Sequence, residues 1–225
     1  MVFDMKKSEL YVMVFNILAI VSFAGCFDPE DCPDRFHVPA EILPYHRDYH
    51  IGDTITLISK FDRHVHEIKT DRKYDMVNID WFPNAFIQYL DTIGYNNSKI
   101  SKYFNLILDK NCDEFLVSFN DHSVIDCKYL YFNDTFSLIY KFIPKRTGNY
   151  FLSQKCAIGP NFNEQNFTGK CKHDGYDVIV DMNSGKDGNI DILKSSQDSL
   201  YNTWVLGDPK RNFYDRGGFC FRVIP

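Results

Sequence analysis

The sequence predicts a mainly β protein, an antiparallel β-sandwich with one or two short helices. Three observations predict it. Aromatic content is 16%, with 20 Phe and 14 Tyr, and these residue types suit pleated, half-buried surfaces. Several short segments alternate apolar and polar residues with a period of two. Turn-forming residues bound those segments, which favours a sandwich over an α/β sheet.

Residues 1–25 are expected to be a signal peptide. Lys6 and Lys7 give a small basic flank, diluted by Asp4 and Glu9. Residues 10–24 follow, with Asn16 and Ser22 as their clearly polar members. A spanning helix needs roughly 20 residues, so this shorter run fits a secretory leader. Two processing outcomes are open. Ser22-Phe23-Ala24 suits an ordinary signal peptidase. Phe23-Ala24-Gly25-Cys26 resembles a lipobox, in which Cys26 is acylated and becomes the new N-terminus, although Phe23 stands where an aliphatic residue is usual. Cysteine parity favours the lipobox: of seven cysteines, removing Cys26 leaves an even six for an oxidising compartment.

Residues 26–35 are expected to form the acylated cysteine and an acidic tether, containing Asp28, Glu30 and Asp31 with Pro29 and Pro33. Residues 36–225 then form one β-rich domain. Residues 53–58 are β-branched and follow the Ile51-Gly52 turn signal. Residues 76–82 place Val77, Ile79 and Trp81 on one strand face. Phe136, Leu138, Tyr140 and Phe142 alternate with Ser137, Ile139 and Lys141, and Pro144 stops the run. Residues 145–148 connect a hairpin into 149–152. Residues 176–180 and 219–224 complete the strand set. One segment differs: Ile100, Tyr103, Phe104, Ile107 and Leu108 fall at helical spacing, predicting an amphipathic helix over 98–109 with Asn97 or Ser98 as its cap. A short helical turn is expected near 189–196.

The remaining cysteines suggest a framework. Fourteen residues separate Cys112 from Cys127, and fourteen separate Cys156 from Cys171. Each pair brackets a polar, turn-rich stretch, and closing such a loop is worth about 3 kcal/mol. Local pairing is the expectation, leaving Cys32 and Cys220 to pair or stay free. The alternative is buried thiols packing as small hydrophobes.

Candidate chemistry is sparse, and no cofactor, metal or catalytic residue is expected. No C-x2-C pair offers compact zinc geometry. His64 and His66 share one strand face, and His46 and His50 share i, i+4 spacing, but solvated polar residues around turns explain both. Residues 187–191 echo a calcium loop without its full ligand pattern, so a turn is expected. No G-x-S-x-G elbow occurs. The net charge of −5 argues against nucleic acid as a partner. Sequons at Asn96, Asn133 and Asn166 arise easily in an Asn-rich chain.

Three stretches carry a resemblance. Residues 49–55, YHIGDTI, are similar to a "y-x-x-GDTI" opening strand. Residues 142–150, FIPKRTGNY, resemble a "pK-x-x-G-x-Y" hairpin. Residues 213–223, FYDRGGFCFRV, resemble a closing "GGYCF-x-V" strand. In this order, behind a lipobox, they resemble a family of Bacteroidota envelope lipoproteins of uncharacterised function, with immunoglobulin-like character in the opening strand. The resemblance implies an outer-membrane, lipid-anchored and surface-exposed address. It implies no catalytic residues. The expected function is a binding or interaction module whose partners are the membrane, through its lipid, and an extracellular or envelope protein or glycan. The competing expectation is an envelope hydrolase or metal-dependent enzyme acting on glycans or peptides, which would need His64, His66 and a carboxylate to converge.

Overall fold

Alternation of burial along the chain sets the architecture. In a computed structural model, residues 33–92, 99–117, 122–158 and 177–225 are described. They form fourteen strands: β1 (Arg35–Leu43), β2 (Asp48–His50), β3 (Ile55–Asp62), β4 (His64–Glu67), β5 (Arg72–Asp75), β6 (Trp81–Tyr89), β7 (Phe104–Leu108), β8 (Cys112–Val117), β9 (His122–Cys127), β10 (Leu130–Phe132), β11 (Thr135–Pro144), β12 (Gly148–Ile158), β13 (Asp177–Met182) and β14 (Gly218–Ile224). In β11 the predicted alternation holds: Phe136, Leu138, Tyr140 and Phe142 are buried, whereas Ile139 and Lys141 face out.

One sheet runs β10-β11-β3-β1-β4-β5, with β7 also paired to β11 and β13 to β1; the other runs β2-β14-β12-β6-β9-β8. Most pairs are antiparallel, but β1–β13 and β2–β14 are parallel, so both sheets are mixed. Their inner faces share one core. Phe142 of the first sheet lies 6.1 Å from Phe221 of the second, and Phe104 lies 4.9 Å from Tyr150. Each fully buried aromatic contributes about 1.5–3 kcal/mol, and seven Phe side chains are among the largest fully buried groups.

The three resembling stretches meet at one end. Ile51 N–H donates to the Ile224 carbonyl and Gly52 N–H to the Pro144 carbonyl, both at 3.1 Å. Gly148 sits opposite Val223, and the Tyr150 hydroxyl donates to the Arg146 carbonyl at 2.8 Å. Gly148 has φ +141°, and a Cβ there would meet the Tyr89 ring, so only glycine fits.

A second, smaller core covers the outer face of the second sheet. A 3-10 segment (Ile190–Ser195) and two π-helical turns (Tyr201–Val205 and Lys210–Tyr214) bury Leu193, Tyr201, Val205 and Phe213 with Phe151, Leu90 and Cys220. Phe213 stacks on Phe151 at 5.6 Å. The expected turn near 189–196 is present. Gly217, at φ +55°, and Gly218 lead from the last helical turn into β14; a Cβ on Gly217 would meet the Gln154 carbonyl, and one on Gly218 the Phe213 ring.

Several expectations are corrected. The helix over 98–109 is a single 3-10 turn (Ile100–Lys102) followed by strand β7. Phe104, Leu106 and Leu108 also fall at a period of two, and pairing of Phe104–Leu108 with β11 selects the strand; Ile107 consequently faces solvent. Residues 76–80 are turn and irregular chain, and the strand begins at Trp81 and runs on through Pro83. Arg35, placed at the end of the expected tether, already opens β1, and residues 1–32 lie outside the described residues.

The Cys112–Cys127 disulfide forms, joining directly opposed residues of β8 and β9. The expected pairing at Cys156 is corrected, and Cys220, a bridge candidate left open to pair or stay free, does not pair: both are buried free thiols. Each is enclosed within a β-strand and packs as a small hydrophobe. Cys26, Cys32 and Cys171 lie outside the described residues.

Candidate functional site

The outer face of the second sheet is only partly covered by the helical turns, and a groove remains. Side chains alternate on β12: Leu152, Gln154 and Cys156 point into the main core, leaving Phe151, Ser153 and Lys155 on the outer face. On β6, opposite them in register, stand Gln88, Phe86 and Asn84. These residues and Val124 form the floor, and Leu200, Tyr201, Trp204, Asn212 and Arg216 form the wall of a cavity of about 240 Å³.

Backbone bonds fix the wall to the floor. The Ser153 hydroxyl donates to the Arg216 carbonyl at 2.9 Å, and Gln154 N–H donates to the Gly217 carbonyl at 3.1 Å. The Asn212 amide donates to the Trp204 carbonyl at 2.9 Å, holding the indole-bearing turn. Trp204 is 47% exposed, the greatest exposure of any aromatic lining this groove.

Two cations stand at one end. Lys155 Nζ lies 5.2 Å from the Phe86 ring centroid, and the Arg216 guanidinium lies 5.4 Å from that of Trp204, both within cation–π range. Burial, and then the Arg216 charge, hold Lys155 below the ordinary lysine value. Neither cation is paired with a carboxylate among the described residues. Both also line an adjoining cavity of about 700 Å³, where Arg35, Lys210 and Arg211 bring the cationic side chains to five against the carboxylates of Asp177, Asp208 and Asp215.

The residues singled out in the sequence lie elsewhere. His64 and His66 share a face of β4, but His64 Nδ1 is 3.0 Å from Asp62 and His66 Nε2 is 2.7 Å from Asp71, so each engages its own carboxylate. Among the described residues no group of three or more His, Cys, Asp or Glu side chains could hold a metal ion. His46 lies in the chain before β2 and His50 within it, so helical spacing is not realised. Residues 187–189 turn into the 3-10 segment at Ile190, with Asp187 accepting from Asn189 N–H and Asp191 paired with Arg47. Burial pushes the Cys156 and Cys220 thiols well above the ordinary cysteine range, which disfavours the reactive thiolate. Asn133 heads the β10–β11 turn; the other two sequons include residues outside those described.

Sequence reasoning missed the groove. Its usable signal was the continuation of β12, where Phe151, Ser153 and Lys155 alternate with residues that point into the main core.

No protein-family profile matches the chain, and no curated protein matches it. Among solved structures, the chain is similar to the second type II cohesin module of the cellulosomal adaptor ScaA scaffoldin of Acetivibrio cellulolyticus. That match has 12% identity and a TM-score of 0.33, covering 64% of this chain and 92% of the module. The type II cohesin dyad of the same scaffoldin matches at 11% identity and a TM-score of 0.33, covering 67% of this chain and 49% of the dyad. Likeness at this level carries no argument about function.

Proposed function

We propose that this protein is a binding module of the bacterial cell envelope, held to the outer membrane by a lipid on Cys26 and engaging an extracellular or envelope ligand through the Trp204 groove. The observation that carries the binding reading is the groove itself. A half-exposed indole, a second ring at Phe86, amides at Asn84 and Gln88, and two cations without acidic partners converge on one concavity. Concave sites with apolar walls and a few convergent polar groups are where ligands bind. The Phe23-Ala24-Gly25-Cys26 stretch and the resemblance to envelope lipoproteins support the address.

Two measurements test the reading. The mass of the mature N-terminal peptide reports the address: diacylated or triacylated Cys26 is the expected result, and an unmodified cysteine or a retained leader contradicts it. Binding is tested on a panel of immobilised glycans and peptides with the full chain and with Trp204→Ala. A ligand lost in the variant is expected. Binding of no probe, or binding indifferent to Trp204→Ala, contradicts the module reading.

A further inference from the structure

We infer that the Lys155–Arg216 end of the groove is a carboxylate site and that its ligand is an acidic glycan, a sugar chain carrying uronate or a comparable ring-borne carboxylate. This rests on the groove being the binding face and names the ligand class.

The backbone forces the two cations together. β12 and β14 are paired as far as Ser153 opposite Gly218, and Arg216, bridged to Val180 just before β14, comes beside Lys155 so that both line the groove. The Ser153 and Gln154 bonds to the carbonyls of residues 216 and 217 hold that placement, and Gly217 supplies the left-handed conformation the turn needs. Like charges so placed repel, and the half-buried Lys155 has lost solvation as well. Elsewhere the protein pairs such groups: Arg47 and Arg222 each make two bonds to one carboxylate, Asp191 and Asp48 respectively. An arriving carboxylate would complete at Lys155 and Arg216 what the chain itself completes at those arginines, with charge-assisted hydrogen bonds.

The surroundings favour a sugar over a peptide. Beneath Phe151 and Ser153 the floor strand β12 is hydrogen-bonded on both sides, to β6 and to β14, so an extended peptide cannot join β12 there by strand addition. Recognition falls to side chains: the open part of the Trp204 indole for the C–H face of a sugar ring, and the Asn84 amide, which has no hydrogen-bond partner among the described residues, for its hydroxyls. The cationic excess of the adjoining cavity extends the same complementarity to a second acidic unit.

The test is calorimetric titration of the full chain with oligogalacturonate, oligoglucuronate and a sialylated oligosaccharide. A neutral galactose oligomer and an Asp/Glu-rich peptide serve as comparisons, each at low and high salt. At least one acidic sugar is expected to bind. Its affinity should fall about tenfold in Lys155→Gln and about tenfold in Arg216→Gln, weaken with salt, and return in the charge-keeping Lys155→Arg. Equal affinity for the neutral oligomer with no effect of Lys155→Gln overturns the carboxylate site but leaves the module reading standing. Binding of the acidic peptide in place of all three acidic sugars overturns the glycan assignment alone. Failure of every probe, sugar and peptide, overturns both. Retained circular dichroism and thermal midpoint in each variant separate loss of a contact from loss of fold.

Discussion

Where β3 turns into β4 and β5, charge is matched inside the chain. Arg63 is held by Asp75 and Asp134, and His64 and His66 each face an aspartate. The fully buried Glu67 accepts from the N–H groups of Asp34, Arg35, Lys69 and Thr70 and from the Thr70 hydroxyl. At the groove, by contrast, Lys155 and Arg216 stand together with no carboxylate paired to either among the described residues. The first region spends its electrostatics on tying the start of β1 to the β4–β5 turn. The second leaves its electrostatics unsatisfied beside an exposed indole. A stability device and a binding device are thus distinguished by whether the partner is on the same chain.

Substitutions should separate the two. The largest effect belongs to Glu67→Gln, which turns an amide toward backbone donors that a carboxylate accepts. About 3 kcal/mol of stability should be lost in urea unfolding. A loss under about 1 kcal/mol would place the latch among ordinary surface contacts. The same residue predicts a pH dependence. Burial raises the Glu67 value, but hydrogen bonds from the Thr70 hydroxyl and from the N–H groups of Arg35, Asp34 and Thr70 outweigh it and bring it to about 2, from 4.5 for a free glutamate. The folded-state value is the lower one, so the stabilisation is full above about pH 4.5 and is lost as pH falls toward about 2. Unfolding curves of the native chain should converge on those of Glu67→Gln over that window, and parallel curves would contradict the assignment.

At the groove the ranking inverts. Trp204→Ala should weaken binding about tenfold while leaving stability within about 0.5 kcal/mol. A drop in thermal midpoint comparable to that of Glu67→Gln would make the indole a structural group. The smallest effect carries the opposite sign. Lys155→Met keeps the packing of the stem and removes a repelled charge, so stability should hold or rise by ~0.5 kcal/mol. A clear destabilisation would reveal that Lys155 serves the fold.

The sequence displayed the fold better than the groove. Alternation announced β11 because one face is buried and the other is not. The Gly217-Gly218 pair was visible as the start of a closing strand. β7 was hidden because Phe104–Leu108 is too short for periodicity to separate helix from strand, and β6 was hidden by Pro83, a residue rare inside sheets. The disulfide at Cys112 and Cys127 was legible from spacing, since a hairpin makes such neighbours. Cys156 followed the same spacing rule but is enclosed in β12 as a free thiol, and spacing carries no information about burial. The groove draws Asn84, Phe86, Lys155, Trp204 and Arg216 from three distant stretches, and strand register together with the packing of the helical turns brings them together.

The most direct measurement follows the two indole N–H signals in a proton–nitrogen NMR spectrum as an acidic oligosaccharide is added. Trp81 is buried among core aromatics and Trp204 lines the groove. The Trp204 signal should move in a saturable way in the native chain and reach its midpoint only at about tenfold higher ligand concentration in Lys155→Gln, with Trp81 unmoved in both. A stationary Trp204 signal, or a midpoint that Lys155→Gln leaves unchanged, would contradict the account.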